Sequence, residues 1–122
     1  MTDSAPIDRP ARATPLRAYA GEIHAEPSAV FETLVRLLRA GSGDAAVLAE
    51  PSLQFVVVQG GWWYRAEYRV LSSDDGSRIE HELLNVASKA HWAGPIAGRK
   101  VLADSPAAFG RLLTELVGEL EH

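Results

Sequence analysis

The chain has 122 residues, 47% hydrophobic and 23% charged, with a formal net charge of -4, which describes one globular domain around a single core. Cysteine is absent, which excludes a disulfide framework and thiolate chemistry and is compatible with a cytoplasmic setting. The acidic balance without a basic block argues against nucleic acid as a partner, and no apolar run reaches the roughly 20 residues of a membrane span.

Residues 1–15 are polar, carry Pro6, Pro10 and Pro15, and lack the apolar centre of a signal peptide. They read as a disordered N-terminal tail, which leaves residues 16–120 as the domain. Leu16–Ala25 alternates like a strand, with Arg17, Tyr19, Gly21 and Ile23 on one face. Pro27 suits the first turn of a helix, where its missing N–H is harmless. Val30, Phe31, Leu34, Val35, Leu37 and Leu38 give that helix an apolar stripe, and Gly41 ends it. Gly41–Pro51 reads either as loop or as one short helical turn capped by Asp44.

The β-branched run Leu53–Gln59 predicts a second strand, and Gly60-Gly61 a hairpin turn. The next two strands are expected over Trp62–Leu71 and Arg78–Val86, joined by Asp74-Asp75-Gly76. In Ala87–Asp104 a loop and one further strand near Arg99–Ala103 are expected. Ser105 then serves as N-cap and Pro106 as first residue of a final helix. Phe109, Leu112, Leu113, Leu116, Val117 and Leu120 line one face of it. The ending Leu120-Glu121-His122 looks like the start of a cloning-derived histidine tag, so residues 121–122 are read as a tag remnant and receive no role.

The order of elements and several residues resemble the START-like or SRPBCC superfamily, which includes polyketide cyclase/dehydratase-like and lipid-transfer proteins. Gly21-Glu22-Ile23-His24-Ala25-Glu26-Pro27-Ser28-Ala29-Val30-Phe31 is similar to the family's opening, a strand running through an Ala-Pro-like turn into a helix. Trp62-x-Tyr64, the strand end Ser73-Asp74-Asp75-Gly76-Ser77-Arg78 and the closing helix Pro106–Leu120 are similar as well. The resemblance implies an α+β helix-grip fold, a curved antiparallel sheet wrapped around a long C-terminal helix with a cavity between them. It also implies that a small hydrophobic molecule (a lipid, polyketide or aromatic) is bound there without a cofactor, with catalysis in some branches. This chain is a shortened form: four or five strands can be placed, fewer than is usual for the family.

Alternation assigns faces to the hairpin. Trp62, Tyr64, Ala66, Tyr68 and Val70 share the inner face, and Arg65, Glu67 and Arg69 a solvated outer one. On the returning strand Glu80 and Glu82 are carboxylates that resist unpaired burial. Ile79, His81, Leu83 and Asn85 therefore point inward. Inward polar groups must be hydrogen-bonded or face a wet cavity. One reading makes Tyr19, Tyr64, Tyr68, His81, Leu83, Asn85, Phe109 and Leu113 the lining of a ligand pocket. The other makes them a sealed core whose polar atoms satisfy one another. Trp62 and Trp63 read as packing or rim residues. His81 is the candidate general base of an enzyme, but no acid or nucleophile can be placed beside it, and the histidines lack metal-ligand spacing. A protein–protein module is the alternative of a different class. Its mark would be an exposed apolar patch at Trp63, Leu84 and Val86.

Overall fold

The computed structural model describes residues 7–10, 12–87 and 91–121. The expectations for residues 1–6, 11 and 122, and part of that for Ala87–Asp104, lie outside them. The architecture is α+β. Five antiparallel strands form one curved, open sheet against which a long C-terminal helix packs, a helix-grip arrangement. Strand β1 (Thr14–Ile23) is followed by helix α1 (Pro27–Gly41), β2 (Ala46–Glu50), a 3-10 turn (Pro51–Leu53) and β3 (Phe55–Gly60). Then come β4 (Tyr64–Ser73), β5 (Gly76–Asn85), the short α2 (Ala93–Ala97) and α3 (Arg99–Leu120). The sheet order is β1-β5-β4-β3-β2, so the first strand returns to pair with the last.

Sequence spacing explains most of these elements. The stripe of α1 buries Val30, Phe31, Leu34 and Val35, each worth roughly 1.5–3 kcal/mol. Those side chains meet Val56, Val58, Ala66, Val70, Ile79 and Leu83 from the sheet. Two glycines fix the approach of neighbouring segments. A Cβ at Gly21 would lie 2.5 Å from Leu113 Cδ1, so its absence lets α3 settle on β1. Gly76, at φ 148°, has no room for a side chain beside the backbone of Ile23 and Ala25. Ser77 closes the same corner by donating to the Ala25 carbonyl at 2.7 Å.

The structure differs from several of these expectations. The stretch between Gly41 and Pro51 is neither a helical turn nor all loop, since Ala46–Glu50 is strand β2. It pairs with β3 from Ala46↔Gln59 to Glu50↔Phe55, and a free sheet edge overrides weak local propensity. No strand occurs at Arg99–Ala103. That segment is the first part of α3, so Ser105 is not an N-cap and Pro106 is an interior residue. The buried Leu102, Phe109 and Leu116 recur every seven residues, and the helical period runs straight through the proline. Pro106 has no N–H for the Leu102 carbonyl four residues back. Ser105 Oγ donates to that carbonyl instead, at 2.7 Å, which is how the helix tolerates the proline.

Trp62 does not share the inner face. The turn covers Gly61, with φ 62°, and both tryptophans; β4 starts only at Tyr64 and Trp62 is half exposed. Trp63 is buried instead. Its indole occupies the space a side chain at Gly98 would need, and its ring meets Tyr64 edge-on at 5.6 Å.

The outer face of β4 is not solvated either. Arg65 has no exposed surface and Glu67 keeps 7%. Arg65 Nε donates to Glu67 Oε2 at 2.8 Å, Nη1 to Gln59 Oε1 at 3.1 Å and Nη2 to the Ile7 carbonyl at 2.7 Å. Arg9 Nη2 reaches both Glu67 Oε1 at 2.7 Å and Glu82 Oε1 at 2.9 Å. Glu67 and Glu82 face each other across β4 and β5, and a cation between them relieves like-charge repulsion. Residues 7–9 of the expected tail therefore lie on the sheet, and Thr14-Pro15 already belong to β1.

Candidate functional site

A row of residues in register crosses the inner face. Tyr19 on β1 pairs with His81 on β5, which pairs with Tyr68 on β4. Alternation points all three side chains toward α3. Tyr68 and His81 stack with centroids 4.1 Å apart and planes at 4°. Phe109 of α3 covers His81 at 5.3 Å and Tyr19 at 5.7 Å. The row makes an aromatic floor with Phe109 as its lid at one side.

Hydrogen bonds divide these polar groups into two classes. Ser105 has a single hydroxyl proton, which goes to Leu102, so Tyr19 Oη must donate to Ser105 Oγ at 2.6 Å. Asn85 is also committed: Nδ2 donates to the His91 carbonyl at 2.5 Å and Oδ1 accepts from Ala87 N–H at 3.1 Å. Both bonds tie the chain after β5 to the start of α2, against Gly94. His81 Nδ1 donates to the Glu67 carbonyl at 3.1 Å, which leaves Nε2 with the lone pair in the neutral ring. Among the described residues Nε2 has no partner, and neither do the hydroxyls of Tyr68 and Tyr64. No sealed side-chain N or O among the described residues lacks a partner, so these three atoms are open to the space they line.

That space is a cavity of about 510 Å³ between the C-terminal half of α1, the sheet and α3. Leu37, Leu38, Val58, Leu83 and Leu112 supply its apolar walls. Tyr64, Tyr68, His81 and Ser105 are its polar points, and Phe109 borders it. Asp104 stands at the rim, exposed and paired to Arg111 at 3.3 Å. Of the residues expected from sequence, the structure brings Tyr64, Tyr68, His81, Leu83 and Phe109 to this cavity. Tyr19, Asn85 and Leu113 are spent on Ser105, on the loop after β5 and on Gly21. Leu37, Leu38, Val101 and Leu112 join the lining without having been expected there. Helical periodicity marks Leu37, Leu38 and Leu112 as inward-facing, but not which of them flank an opening, and Val101 falls in the segment expected to be a strand.

Burial sets the protonation states. It lowers His81 to about 4, only partly opposed by the bond to the Glu67 carbonyl, so the imidazole is neutral at physiological pH. Burial pushes both the Tyr68 and Tyr64 phenols above their ordinary range, and the neighbouring Tyr64 adds to the effect on Tyr68. Burial also opposes ionisation of Glu67 on the outer face. The hydrogen bonds and charges of Arg9 and Arg65 outweigh it and hold that carboxyl below its usual value.

A second opening of about 410 Å³ lies on the outer face, bordered by Ala18, Ala20, Phe55, Arg69, Arg78, Glu80 and Glu82. Its charges are largely engaged with one another: Arg78 pairs with Glu80 at 3.2 Å, Glu82 with Arg9, and Arg69 sits over the Phe55 ring at 4.8 Å. The patch expected of a protein–protein module does not form there, because Trp63 and Leu84 are buried and Val86 is half-buried. No helix among the described residues is long and apolar enough to cross a membrane. No protein-family model matches the chain, and no curated protein or solved structure matches it either.

Proposed function

We propose that this chain is a shortened START-like domain that binds a small hydrophobic molecule between its sheet and its C-terminal helix. The observation that carries this reading is the cavity of about 510 Å³. Its size falls in the range of roughly 300–1,000 Å³ common to small-molecule sites, and its mixture of apolar walls with a few polar points is theirs too. The sheet, α1 and α3 all contribute to the walls, so occupation of the cavity would be felt by each of them.

Naphthalene titrated into the isotopically labelled protein tests the reading. Chemical-shift changes are expected at Leu83, Phe109 and Leu112, around the cavity. Shifts confined to the exposed Trp62, Trp92 and Ile96, or none at all, would overturn it. A cyclase- or dehydratase-like enzyme gains less support. The ring contacts of His81 are Tyr19, Tyr68 and Phe109, and Asp104 at the rim is engaged with Arg111.

A further inference from the structure

The proposed function leaves the chemistry of the ligand open, and the hydrogen-bonding atoms around the cavity narrow it. Tyr68 and His81 keep 8% and 6% of their surface, yet Tyr68 Oη and His81 Nε2 have no partner among the described residues. Polar atoms on such buried side chains ordinarily find a hydrogen bond. Their roles are complementary. Nδ1–H of His81 is used on the Glu67 carbonyl, so Nε2 accepts. Tyr68 Oη carries a proton to donate and is held beside that imidazole by the 4.1 Å stack.

A group that gives one proton and accepts another satisfies both atoms at once, and a hydroxyl does this. An anion does not. A carboxylate would confront the Nε2 lone pair, and the lining contains neither lysine nor arginine, while its rim carries Asp104. Burying a charge without a counter-ion costs more than the apolar contacts return. Resting on the ligand-binding reading above, we propose that the cavity selects uncharged molecules bearing a hydroxyl on an apolar body, phenols or alcohols. The hydroxyl would donate to His81 Nε2 and accept from Tyr68 Oη, with Tyr64 Oη as a further donor on the same wall.

The test compares naphthalene, 2-naphthol and 2-naphthoate at neutral pH by shift perturbation and calorimetry on the full chain. 2-Naphthol should bind at least about tenfold more tightly than 2-naphthoate and about fivefold more tightly than naphthalene, the size of one or two net hydrogen bonds. Tyr68→Phe keeps the stacked ring and removes only the hydroxyl; it should lower the naphthol-to-naphthalene affinity ratio about two- to threefold, the bond to His81 Nε2 remaining. Equal affinity for all three compounds, or a ratio unmoved by Tyr68→Phe, overturns the hydroxyl assignment and leaves the apolar cavity standing. Failure of naphthalene itself to perturb Leu83, Phe109 and Leu112 removes the cavity reading and this inference with it.

Discussion

Acid should unfold this protein through His81, and the size of the effect follows from its surroundings. The ring is packed between Tyr19, Tyr68 and Phe109, none of which carries a negative charge to offset the burial of a positive one. Burial takes it from an ordinary 6.5 to about 4. The unfolded chain therefore takes up this proton first, and stability falls as pH drops from about 6.5 to about 4. At about 1.36 kcal/mol per pK unit, the loss reaches about 3 kcal/mol near pH 4, a large share of a small domain's stability. His81→Phe isolates the contribution. The variant keeps a flat ring in the stack but loses the bond to the Glu67 carbonyl, which should cost about 1–2 kcal/mol at neutral pH. It has no buried imidazole to protonate, so its stability should decline less in acid. Urea unfolding of both proteins across this pH range, at constant ionic strength, should show the two stability curves crossing. A constant gap between them would refute the reasoning, because the remaining titrating groups, Glu67 among them, are common to both proteins.

Two further outcomes follow from packing and charge. Gly98→Ala drives a methyl group into the Trp63 indole, where overpacking typically costs 1–3 kcal/mol; a lowered melting temperature with altered tryptophan emission is expected, and an unchanged one would contradict the contact. Arg65→Met leaves Glu67 buried beside the half-exposed Arg9 alone and should cost roughly 3–5 kcal/mol, whereas Arg9→Ala should cost under about 1 kcal/mol and lose its effect in high salt. Equally small costs for the two variants, read by urea unfolding, would mean that residues 7–9 do not cover Arg65 and Glu67 on the sheet.

Much of the fold was legible from local pattern. Alternation placed His81 and Asn85 inward because carboxylates at Glu80 and Glu82 resist unpaired burial, and Tyr64 and Tyr68 inward because they alternate with the charged Arg65, Glu67 and Arg69. The apolar stripe of α1 and the C-terminal part of α3 were read from helical spacing. Local pattern misleads where a residue has two uses. Ser105-Pro106 is a good helix start, but here the serine hydroxyl replaces the N–H that the proline lacks, and the helix continues backward to Arg99. Ala46–Glu50 has little strand propensity and became one because β3 offered an unpaired edge. Arg65 and Glu67 alternate outward as charges should, yet Ile7 and Arg9 come back over them from a distant part of the chain.

The sequence by itself determined which side of β4 from Tyr64 onward and of β5 faces the helix, since that depends on alternation and on the cost of burying carboxylates. It also determined the sheet-and-helix class, because apolar periodicity is a local property. Only the tertiary structure decided which inward polar atoms are free. Tyr19 and Asn85 read the same as Tyr68 and His81 in one dimension. A hydrogen-bond partner, though, is a matter of angstroms between segments far apart in the chain. Ser105 reaches Tyr19 across 86 positions, while Tyr68 Oη and His81 Nε2 have no partner among the described residues, on side chains that line the cavity between the sheet and α3.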